Sequence, residues 1–72
     1  MSAFVTTLRT QVDLAEQALE QARRDANRDQ LHRHSARLLD LLDRAATHGI
    51  DTTDWVPPEV VSLASTAAGN GS

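Results

Sequence analysis

Seventy-two residues hold one small domain, and a chain of this size buries too little surface to be more than marginally stable without a staple or a partner. There is no cysteine, which excludes disulfides and thiolate metal sites. A net charge of −3 gives no whole-chain attraction to nucleic acid, and Phe4 and Trp55 are the only aromatic residues, so the core must be aliphatic.

Residues 3–25 read as a first helix, with Ser2 as its N-cap. Val5, Leu8, Val12, Ala15, Leu19, Ala22 and Ala26 recur at steps of three and four, a heptad-like apolar seam, while Arg9, Asp13, Glu16, Glu20 and Arg23 fall opposite. No glycine or proline interrupts the stretch. The N-terminal sequence lacks the basic segment and long apolar run of an export signal, and no window is apolar enough to span a bilayer, so a cytoplasmic location is expected.

The seam loses phase after Ala26. The next large apolar residue is Leu31, and five positions rotate a helical stripe by about 140°. Residues 26–29 are therefore expected to be a turn between two antiparallel helices, Asn27 taking the left-handed conformation and Asp29 capping the second helix.

The second helix is expected over 30–48. It holds five of the nine leucines: Leu31, Leu38, Leu39, Leu41 and Leu42. On a wheel Leu31, Ser35, Leu38, Leu42 and Ala45 form the central stripe, with Leu41 on one flank and Leu39 on the other. That arc spans about half the circumference, wider than one neighbour covers. Gly49 is placed to end the helix in a left-handed conformation, with Ile50 folding back.

Residues 49–57 form a connector. Pro57-Pro58 sets up a short third helix over 58–67, with Glu59 at its positive end and Val56 stapled to Val61. Such a short helix persists only when docked, which places Trp55 over the flank of the second helix or over the open end of the hairpin. Residues 69–72 are expected to be a disordered tail.

The fold class that follows is all-α: a two-helix antiparallel hairpin with a short C-terminal helix in a single domain over 1–68. The wide apolar arc predicts self-association, with a dimer completing a four-helix bundle through Leu38, Leu39, Leu41 and Leu42; the competing reading is a monomer in which the third segment alone covers that face.

Catalytic and cofactor constellations are not evident, so neither enzymatic activity nor a bound cofactor is expected. His32 and His34 lie two residues apart, about 200° around a helix, whereas paired metal-binding histidines share a face. Asp40 and Asp43 suit a solvated face, with Arg44 placed to pair with Asp40.

Two surfaces stand out. Leu39, Leu41 and Trp55 form the candidate interaction surface of a small regulatory or protein–protein interaction module. The other is the hairpin tip, where Arg23, Arg24, Arg28, Arg33 and Arg37 face only Asp25 and Asp29 within residues 23–37, a local charge of +3. Arg23, Arg24, Arg28 and Arg33 are the candidate contacts of an alternative function, binding to nucleic-acid phosphates. The plainer reading of the same tip is a solvated turn whose arginines pair locally, Asp29 with Arg33 above all.

Overall fold

A computed structural model describes residues 3–69. Three helices follow one another along the chain: α1 (Ala3–Arg24), α2 (Arg28–Thr47) and α3 (Pro58–Gly69). No strand occurs among the described residues. Both the Ser2 cap and residues 70–72 of the expected tail lie outside the described residues, whereas Gly69 belongs to α3.

α1 and α2 form the hairpin that the phase break implies, and α2 also packs against α3. The buried stripe of α1 is Leu8, Val12, Ala15, Leu19 and Ala22. That of α2 is Ser35, Leu38, Leu41 and Ala45. Val56 from the connector and Ala64 from α3 complete the same core. Four of these buried residues are alanines, so the helices approach closely and few side chains can adjust.

The turn differs from expectation at two residues. Ala26, not Asn27, takes the left-handed conformation (φ 52°). The Asn27 amide donates to the Ala22 carbonyl at 3.1 Å and the Ala26 amide to the Arg23 carbonyl at 3.2 Å, the paired bonds of a Schellman ending. That frees Asn27 to cap α2, its side-chain oxygen accepting from the Gln30 amide at 3.1 Å. Asp29 lies inside the first turn of α2 and is not the cap. One short polar side chain at the N-cap satisfies a helix amide that the left-handed position would leave without a partner.

The end of α2 repeats the motif with the residue that sequence reasoning selects. Gly49 has φ 72°, the Ile50 amide donates to the Ala45 carbonyl at 2.9 Å, and the Gly49 amide donates to the Ala46 carbonyl at 3.0 Å. Two ends of the same geometry, one with alanine and one with glycine, give a matched pair of tests. Ala26→Gly should stabilise by about 0.5–1 kcal/mol, since left-handed strain on an L-residue exceeds the extra unfolded-state freedom of glycine. Gly49→Ala should cost about 1 kcal/mol through backbone strain alone, because no atom lies within 4 Å of the added Cβ. Urea midpoints at constant m-value check both, and shifts of the same sign would contradict the assignment.

α3 runs back along α2. Near its end the Ala67 carbonyl lies 3.0 Å from His32 Nδ1, at the hairpin tip. At the other end of the hairpin the Phe4 and His48 rings meet with centroids 4.6 Å apart. None of the helices is long and apolar enough to cross a membrane.

Candidate functional site

The wide apolar arc of α2 is the place to look for a site, and a single chain already encloses most of it. Leu41, expected on an uncovered flank, is 1 % exposed and belongs to the core. Leu38 is likewise enclosed, so Leu38 and Leu41 are not available to the expected four-helix dimer bundle in this conformation. The correction is rotational. The centre of the buried arc lies toward Leu41, and Leu42, expected at its centre, lies at its edge. Leu39 and Leu42 are half-buried and pack against the core.

Leu42 opens into a surface groove shared by α2, the connector and α3. Val56 and Val61 line it with Leu42, and Thr52, Thr53, Pro58 and Ser62 complete it. Thr53 is held by Asp51, whose carboxylate accepts from both the amide and the hydroxyl of Thr53. Those bonds hold the Asp51 carboxyl below its ordinary range. The surroundings are acidic: Asp51, Asp54 and Glu59 are exposed, and no lysine or arginine occurs after Arg44. Spacing alone assigns Leu42 to the hairpin and Val61 to a staple, and only the docking angle of α3 brings them to one groove.

Trp55 is half-buried and lies along α1 rather than over the flank of α2. The Arg9 guanidinium carbon sits 5.8 Å from its ring centroid, within cation–π range, and Val5, Thr6, Thr10 and Asp13 border the same space. Leu39, Leu41 and Trp55 therefore form no common exposed surface. Two other large apolar side chains do reach solvent, Phe4 (41 %) and Leu14 (59 %). Isolated residues of that kind are ordinary on a small protein.

At the tip, Arg23 pairs with Glu20 at 3.1 Å. Arg24, Arg28, Arg33 and Arg37 make no ion pair with any described residue, and the expected Asp29–Arg33 pair is not formed. Asp25 accepts from Gln21 rather than facing an arginine. Away from the tip, Arg44 reaches Asp40 only at 3.9 Å. In the tautomer that carries its proton on Nδ1, His32 donates to the Ala67 carbonyl, a contact between α2 and α3 for which sequence spacing gives no signal.

α1 also carries unneutralised carboxylates. Glu16 is half-buried, and its carboxyl is pushed above the ordinary range first by burial and then by the neighbouring carboxylates of Asp13 and Glu20. Folding thus favours its protonated form. The associated stability is fully present below the unfolded-state value and is lost as pH rises through the folded one. Glu16→Gln should therefore raise the melting temperature at pH 7 and leave it unchanged below about pH 4. Equal gains at both pH values would remove the electrostatic explanation.

Among the described residues no group of three or more His, Asp or Glu side chains is placed to hold a metal ion. In comparisons with known proteins, no family model, curated protein or solved structure matches the chain.

Proposed function

We propose that the chain is a small protein–protein interaction module that receives an apolar segment of another protein in the groove between α2 and α3. The observation behind this reading is the Leu42 edge: α3 docks on α2 yet leaves Leu42, Val56 and Val61 lining an open groove. The groove walls are apolar with a rim of hydroxyl groups, a pattern that favours an apolar anchor and a hydrogen-bonded periphery. Charge defines the partner further. With Asp51, Asp54 and Glu59 close by in sequence and no base after Arg44, the fitting segment is apolar and flanked by basic residues.

Ser62 is exposed on the rim, so Ser62→Arg changes the shape and charge of the groove without touching the core. Partner capture from the native lysate, followed by titration of the captured protein, provides the test. The arginine variant should bind at least about tenfold more weakly, a loss of about 1.4 kcal/mol, with an unaltered melting curve. Retention of every partner at full affinity would refute the reading. A mass that doubles with concentration for the wild type alone would instead assign the groove to a second copy.

A further inference from the structure

We propose that the hairpin tip is a second, independent site that binds the phosphate backbone of duplex nucleic acid through Arg24, Arg28, Arg33 and Arg37. The plainer account of these arginines requires local neutralisation. The structure pairs Arg23 alone of the five, and it leaves the other four without an ion pair among the described residues. All four are exposed and lie between the last residue of α1 and the middle of α2. Arg33 and Arg37 are one helical turn apart on one face, about 6 Å along the axis. Asp25 and Asp29 are the opposing charges within residues 23–37, and neither forms an ion pair among the described residues.

What surrounds the arginines selects the ligand. A protein partner is normally gripped by an apolar or aromatic anchor buried at the centre of the contact. Between Arg24 and Arg37 the exposed residues besides arginine are Asp25, Ala26, Asn27, Asp29, Gln30, His32 and Ala36, none of them a large apolar side chain, while the exposed large apolar residues, Phe4 and Leu14, lie further back along α1. Binding to single strands relies on aromatic platforms, and neither Phe4 nor Trp55 is at the tip. Phosphate-backbone binding to a duplex needs neither kind of anchor, only unneutralised cations. Carboxylates far from the tip do not cancel this, although Glu16 and Glu20 border the same surface space as Arg24. The molecule is 38 Å long, and the Debye length near physiological salt is about 8 Å.

The test is fluorescence anisotropy with a random-sequence DNA duplex of about 20 base pairs. Four phosphate contacts predict a slope of log K against log salt near −3.6, an affinity loss of about 100-fold between roughly 50 and 200 mM salt. Replacing both Arg33 and Arg37 by Ala should roughly halve that slope, and Arg33→Lys with Arg37→Lys should retain it. Arg9→Ala and Arg44→Ala, both away from the tip, should leave it unchanged. Because the four tip side chains make no ion pairs, the circular dichroism of the alanine variants should match wild type. The double lysine variant keeps the proposal falsifiable even if an alanine variant fails to fold: loss of its salt slope overturns the proposal. So would no binding at about 50 mM salt, an unaltered slope in the Arg33/Arg37 alanine variant, or tighter binding to single strands. Competition by polyglutamate as effective as by the duplex would make the tip an acidic-protein site and equally overturn it.

Discussion

Leu38→Ala should destabilise the fold by about 3–4 kcal/mol, enough to lower the melting temperature by roughly 15 °C or more in a domain of this size. Leu38 has no exposed surface and lies in one core with Leu19, Leu41, Ala15, Ala45 and Ala64. Truncation removes its transfer free energy and leaves a cavity. The alanines around it have no side-chain reach with which to fill that cavity, which keeps the cost away from the low end of the usual range. Total stability at 0.05–0.15 kcal/mol per residue is only about 4–11 kcal/mol, so this one change removes a large fraction of it. Leu14→Ala is the control: its side chain is mostly exposed and its loss should stay within about 0.5 kcal/mol. Urea titration of both variants distinguishes them. Similar midpoints would mean that the packing register of the hairpin is wrong.

The contrast between Leu38 and Leu14 is legible in the amino-acid pattern, because Leu14 falls outside the three-four spacing from Leu8 to Ala22 that defines the buried stripe. Spacing also locates the helices: 3–25 against Ala3–Arg24, 30–48 against Arg28–Thr47, and 58–67 against Pro58–Gly69. Gly49 is readable because only glycine takes a left-handed backbone without strain. Ala26 is unreadable for the same reason, since alanine in that conformation contradicts local preference and is imposed by the Schellman bonds and the neighbouring Asn27 cap.

The wheel of α2 shows how wide its apolar arc is but not where the centre of the arc falls. That centre depends on two neighbours, α1 and α3, and on the angle at which α3 docks. A shift of one position exchanges Leu41 and Leu42 between core and edge, and with them the candidate interaction surface. The tip shows the complementary limit. Its excess of arginine is countable in the sequence, whereas whether Asp29 reaches Arg33 is a matter of rotamers and turn geometry. The two proposed surfaces therefore rest on the two features that spacing leaves open: which leucine edges the groove, and which arginines stay unpaired.

Ser35→Ala should stabilise the protein by about 1–2 kcal/mol, raising the melting temperature by roughly 4–16 °C. Among the described residues Ser35 is the one buried polar side chain, with no exposed surface, and its hydroxyl has no hydrogen-bond partner. A hydroxyl desolvated without compensation costs about 1–3 kcal/mol, and serine is also a poorer helix former than alanine at the centre of a helix. Alanine lacks only the hydroxyl oxygen, so the void it leaves is small. The close helix approach needs a small residue here, and both serine and alanine meet that need. Ser35→Leu, with the apolarity but not the size, should instead destabilise by overpacking, by about 1–3 kcal/mol. Opposite signs for the alanine and leucine variants would establish that size is constrained at this position and polarity is not. A loss of stability in Ser35→Ala would mean that the hydroxyl has a partner in solution, and the packing of α2 at Ser35 would have to be redrawn around it.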